Sequence, residues 1–199
     1  MKIRTIIQML ALGFMLSSCA GQSKTSTPLQ GEFAGIERIE GASIESVQQE
    51  PQITSGYNYI CVNSIDMASF AKDYPKMKDE FNTSLSGYLQ DKQTYKSEDC
   101  LAKNPKLKKG TIIVDTKVVD MRIVGTQARA WGGFMAGSSF ADVYLKLTDA
   151  TSQKVILEKV IGTSYNAFAS EFAFGSENSL PMDMAHIIGE YIYTVAPAK

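Results

Sequence analysis

One histidine and three cysteines in 199 residues leave this chain short of the side chains that hold metals. With a single imidazole and no C-x-x-C spacing there is no ligand set for a structural zinc site, so no metal or other cofactor is expected. A Ser-His-Asp or Cys-His device would have to use His186, and no G-x-S-x-G elbow is present to carry its nucleophile. His186 therefore reads as a helix-surface residue rather than a general base, and no catalytic residue is assigned. The carboxylate pairs Asp79 and Glu80, and Glu98 and Asp99, are chain neighbours that do not face one another. An excess of charge of one sign is also missing: 20 basic residues stand against 21 acidic ones, net −1. That balance leaves no basic field to recruit nucleic acid. After Leu16 no apolar run is long enough to span a bilayer as a helix.

What is present begins at the amino terminus. Lys2 and Arg4 precede an apolar run from Ile6 through Leu16, which has the shape of a secretory signal. The stretch "LSSCAG" that ends the run resembles the lipobox of bacterial lipoproteins, with small Ser17 and Ser18 ahead of Cys19. That resemblance implies cleavage after residue 18, a diacylglycerol on the Cys19 thiol and an acylated new amino terminus, palmitate-type chains that anchor the protein stably because more than one inserts. Ala20 after the cysteine, rather than an aspartate, implies sorting to the outer membrane. Losing Lys2 and Arg4 with the signal takes the net charge from −1 to −3.

Residues 19–52, rich in Ser, Thr, Gln, Gly and Glu, read as a tether. As a flexible coil, some 30 residues reach roughly 30 Å. Part of it, around Phe33 to Ile39, is a candidate edge strand. The remainder, 53–199, fits one domain. Aromatic and β-branched residues make Tyr57 to Ile65 a strand. Met77, Phe81, Leu85, Tyr88 and Leu89 recur at helical spacing after Pro75. "TIIVDTKVVDMRIV" is a long strand whose inward face switches near Val118 and Val119, which predicts a bulge. Val143, Leu145 and Leu147, a turn over Asp149 to Gln153, then Val155, Leu157 and Ile161 predict a hairpin. A last helix over about Pro181 to Val195 carries a stripe of Met182, Ala185, Ile188, Ile192 and Val195. The order predicts an α+β domain: a mixed or antiparallel sheet of four to five strands with two helices packed on it.

Three further features are candidates for contact or linkage. In "GTQARAWGGFMAGSSF" the glycines and Arg129 admit an anion-binding reading, but both neighbours are strands and no phosphate-loop pattern is present. A connection presenting Arg129, Trp131 and Phe134 to a protein partner is the better account, because Trp and Arg dominate interface energetics. Lys103, Lys106, Lys108 and Lys109 read as a solvated loop rather than a headgroup contact. Cys61 and Cys100 are an even pair in an exported chain, which favours a disulfide between them over two free buried thiols.

The strand "YICV" before an amphipathic helix ending near "GYLQD", the loop "ARAWGGFMAGSS" before "ADVYLKLTDATSQKVI", and the closing helix together resemble a group of uncharacterised bacterial lipoproteins that carry a domain of unknown function. The order of elements more weakly resembles the anticodon-binding-like domains of periplasmic proteins: the Tol translocation protein's amino-terminal domain, the curli secretion lipoprotein and the lipoprotein activators of penicillin-binding proteins. Those resemblances imply a non-enzymatic binding or assembly accessory of the cell envelope, lipid-anchored in the outer membrane with its domain in the periplasm and an envelope protein as partner. A self-assembling structural lipoprotein and an envelope hydrolase are the competing classes.

Overall fold

The computed structural model describes residues 28–92, 96–97, 107–124, 138–165 and 179–198. The chain divides into two units, Met1–Ala34 and Gly35–Lys199. Within the first, the described residues carry one 3₁₀ turn, Gly31–Phe33.

The second unit is an α+β fold on a six-stranded mixed sheet. Its strands are β1 (Arg38–Ile39), β2 (Tyr59–Val62), β3 (Lys96–Ser97), β4 (Thr111–Arg122), β5 (Ser139–Asp149) and β6 (Val155–Tyr165), in the order β1-β6-β5-β4-β2-β3. Its helices are α1 (Ile44–Val47), α2 (Met77–Asp91) and α3 (Leu180–Val195). β4, β5 and β6 form an antiparallel meander, while β2 lies parallel to β4, β3 to β2 and β1 to β6. The strand count exceeds the expected four to five because β1 and β3 are two-residue edge strands, too short to register in a period-two pattern.

Alternation along the strands decides which face is covered. Ile112, Val114, Val143, Leu145 and Ile161 point to one side and are fully buried beneath Phe81, Leu85, Ile188, Tyr191 and Ile192 of α2 and α3. The α2 stripe of Met77, Phe81, Leu85 and Leu89 is buried as its spacing requires. Asp79 and Glu80 in its first turn complement the helix dipole. α3 is buried almost all round, so its sequence stripe understates it: Met184, Ile187 and Tyr191 are buried too, whereas Met182, expected in the stripe, is 46% exposed. Val155 at the start of β6 is likewise 42% exposed.

The expected bulge is present, as the β4–β5 register slips between Val118 and Asp120. The hairpin turn is tied by Asp149, whose Oδ1 accepts from the backbone N–H of Thr151 and Ser152 at 3.0 and 2.6 Å, with Gln153 at φ 56°.

The domain boundary falls earlier than the expected residue 53. Gly35 onward belongs to the folded unit, because the few apolar residues of the presumed tether are used: Ile39 packs on the core, and Ala42 and Val47 are buried. A reciprocal Ser43–Ser46 capping box holds the single turn of α1.

Candidate functional site

Most of the residues nominated by the sequence, Cys19, Cys100, Arg129, Trp131 and Phe134, lie outside the described residues, as do Lys103 and Lys106. Cys61 sits on β2, 2% exposed, and is disulfide-bonded. Lys108 lies over the Tyr59 ring, 4.6 Å from its centre.

The chemistry within the described residues gathers on α3, around a residue the sequence reading passed over. Glu190 is 2% exposed on α3, flanked by apolar and aromatic residues from Ile187 to Tyr193. Three donors converge on it: Gln48 Nε2 reaches Oε1 at 2.7 Å from just past α1, Tyr88 O–H reaches Oε2 at 2.6 Å from α2, and Lys92 Nζ reaches Oε2 at 2.8 Å. Lys92 is further held between the rings of Tyr88 and Tyr193, 5.3 Å from each centre. Gly189 makes room for this, since a Cβ there would come within 2.6 Å of the Tyr88 ring.

Burial alone pushes the Glu190 carboxyl up, but the hydrogen bonds from Lys92, Tyr88 and Gln48 together outweigh it and hold the group below the ordinary glutamate value. Burial, then the bond to the Glu190 carboxylate, raises the Tyr88 phenol. The bond to Glu190 raises the Lys92 ammonium against the effect of its burial. Each shift moves the group's titration further from neutral pH, the opposite of what a proton-transfer residue needs. The cluster clamps α1, α2 and α3 together.

One turn earlier on α3, His186 stacks its ring on Tyr88 at 5.0 Å between centres, with 32° between planes. It also lines a groove of about 390 Å³ between the α1 region, the end of β6 and α3. Ser43 and Asp183 line the same groove, but the Ser43 oxygen accepts from Ser46 N–H at 3.2 Å and Asp183 Oδ2 accepts from Ser179 O–H at 2.7 Å. Neither interaction is with His186, so no nucleophile–base pair is assembled there among the described residues. Among those residues no group of three His, Cys, Asp or Glu could hold a metal ion.

The sheet face away from the helices carries a second ion pair. Arg38 on β1 reaches Asp142 on β5 at 2.7 Å, across β6. Gly162, the register partner of Asp142, leaves the space for that carboxylate: a Cβ there would stand 2.3 Å from Oδ1. Burial raises the Asp142 carboxyl and Arg38 only partly offsets it.

The signal for Glu190 was legible: a lone acid inside "AHIIGEYIY" is a buried charge in search of partners. Its partners were not, because Gln48 and Glu190 are 142 residues apart and Tyr88 and Glu190 102.

Residues 38–169 match the family described as "Domain of unknown function (DUF4410)". The match begins at β1 and ends before α3. No curated protein matches the chain. Among solved structures, the PelC dodecamer from Paraburkholderia phytofirmans is similar at 10% identity and a TM-score of 0.47, covering 75% of this chain and 94% of that one. The hypothetical protein CT253 from Chlamydia trachomatis is similar at 12% identity and a TM-score of 0.38, covering 67% of this chain and 91% of that one.

Proposed function

We propose, for a chain that belongs to the DUF4410 family of domains of unknown function, a non-enzymatic role as an outer-membrane lipoprotein that binds or helps assemble a protein complex of the cell envelope. The observation that carries the reading is the amino terminus: Lys2 and Arg4, the apolar run to Leu16, and Ser17 and Ser18 before Cys19. No helix among the described residues is long and apolar enough to cross a membrane. Attachment would rest on lipid at Cys19, ahead of the folded unit that begins at Gly35.

A binding role is supported by the state of the ionisable groups. Glu190, Tyr88 and Lys92 are committed to one another, and His186 has no acid or nucleophile bonded to it among the described residues. Arg129, Trp131 and Phe134, on the connection between β4 and β5, are the assigned partner contacts. The Cys61 disulfide fits an oxidising compartment, with Cys100 as its assigned partner. In-cell crosslinking tests the reading. A defined envelope protein should be captured by the native chain and lost with Trp131→Ala and Arg129→Ala at unchanged thermal stability; an identical capture pattern from the variants would refute it.

A further inference from the structure

One end of the sheet gathers exposed lysines beside exposed apolar side chains. β5 returns antiparallel between β4 and β6, and β2 and β3 run parallel to β4, so β2, β3, β4 and β6 all begin at this end. Lys96 opens β3, Lys109 lies just ahead of β4 and Lys154 just ahead of β6, and all three are exposed. In the order β6-β5-β4-β2-β3 they form a row roughly 20 Å long at the usual strand spacing. None of the three makes an ion pair among the described residues. From the sequence, Lys109 belongs to a solvated loop; the fold is what aligns it with Lys96 and Lys154.

Two of the exposed large apolar side chains lie at the same end. Val155, 42% exposed, follows Lys154 at the start of β6. Ile53, 47% exposed, is held there by its N–H, which donates to Val195 O at 2.8 Å where α3 ends. The residues after Ile53 lead to the lysine row: Gly56 O lies 3.6 Å from where a Cβ of Gly110 would stand, and the Tyr57 phenol bonds Asp149 in the turn before Lys154. That carboxylate is also occupied by the N–H groups of Thr151 and Ser152. The other acids near this end, Asp91 at the end of α2 and Glu50 after α1, belong to the helix layer rather than to the row.

The pairing of lysines with apolar side chains selects the kind of partner. A soluble polyanion would leave Ile53 and Val155 in water, and an apolar protein surface would strand three ammonium groups. An anionic bilayer answers both, since its phosphates attract the lysines and short apolar side chains enter the headgroup boundary. We propose that this end of the sheet docks on an anionic phospholipid surface. The proposal rests on the envelope reading for its setting and adds which end of the domain meets the lipid. β1 is parallel to β6, so the chain passes into β1 from this same end.

The chain from residue 19 carrying Cys19→Ser keeps the whole folded unit and bears no lipid. Its cosedimentation with phosphatidylglycerol vesicles is compared with that on phosphatidylcholine vesicles. Binding to the first, weakened by added salt, and none to the second is expected. Lys109→Gln and Lys154→Gln should each weaken it about fivefold at an unchanged thermal midpoint, because neither ammonium loses a partner in the fold. Lys76→Gln, at the start of α2 on the opposite end, should change nothing. Ile53→Ser should weaken vesicle binding too, and full affinity in that variant would overturn the lipid assignment in favour of a soluble polyanion. No binding to phosphatidylglycerol, equal binding to both vesicles, or an equal loss from Lys76→Gln would overturn the proposal. With no lipid attached in this assay, such a failure leaves the Cys19 anchor to be judged by its own mass measurement.

Discussion

At the scale of single residues, Glu190 and Tyr191 are adjacent polar groups on α3 with opposite fates. Glu190 is satisfied by three donors, whereas the Tyr191 hydroxyl is fully buried with no hydrogen-bond partner among the described residues. Tyr191→Phe keeps the ring and removes an unpaired polar atom, so thermal unfolding should show a midpoint equal to or above that of the native chain, by up to about 1 kcal/mol of stability. Glu190→Gln should lower stability by about 2 kcal/mol near neutral pH, because Lys92 and Tyr88 lose a charged partner while Lys92 keeps part of its access to water. The pH dependence has a definite sign. The folded Glu190 carboxyl titrates below its ordinary value, so its contribution is complete above the ordinary glutamate range and is lost as pH falls through the folded value. Melting curves of the native chain should therefore drop as pH falls below the ordinary glutamate range, and those of Glu190→Gln should drop less. The Lys92 ammonium is raised, so its share persists below the ordinary lysine value and is lost only at more alkaline pH. An equally steep acid limb in the variant would contradict the clamp.

At the scale of elements, legibility followed periodicity. Met77, Phe81, Leu85 and Leu89 disclosed α2, Val143, Leu145 and Leu147 disclosed β5, and the irregular Val118–Val119 pair disclosed the bulge. Residues 35–52 were opaque for the same reason. A two-residue strand and a one-turn helix carry no period, and a polar composition with scattered Ile39, Ala42 and Val47 is indistinguishable from a linker until tertiary partners are known. This segment ties β6 through backbone bonds from Val160 N–H to Glu37 O and from Ala42 N–H to Gly162 O, 2.9 and 2.8 Å, and it delivers Arg38 to Asp142 and Gln48 to Glu190. Truncation should separate the two halves of the presumed tether. A chain starting at Gly35 should melt like the native protein with its signal removed. A chain starting at Ile53 should lose several degrees at least, since it forfeits buried Val47 and leaves Asp142 and Glu190 short of partners. Equal midpoints would return residues 35–52 to the tether.

At the scale of the whole molecule, the fold and the assigned role come from different parts of the chain. The α+β domain was readable from its alternating and helical patterns, and the Glu190 clamp required contacts between residues more than a hundred positions apart. A chain with one histidine, and with Glu190 already bonded to three donors, leaves location and contact as the properties most open to test. The intact mass of the protein extracted from membranes, followed by a non-reducing peptide map, addresses them directly. The account predicts a chain beginning at Cys19, bearing diacylglycerol and an amide-linked acyl chain, with Cys61 joined to Cys100. A chain that retains residues 1–18, or an unmodified Cys19, would contradict it.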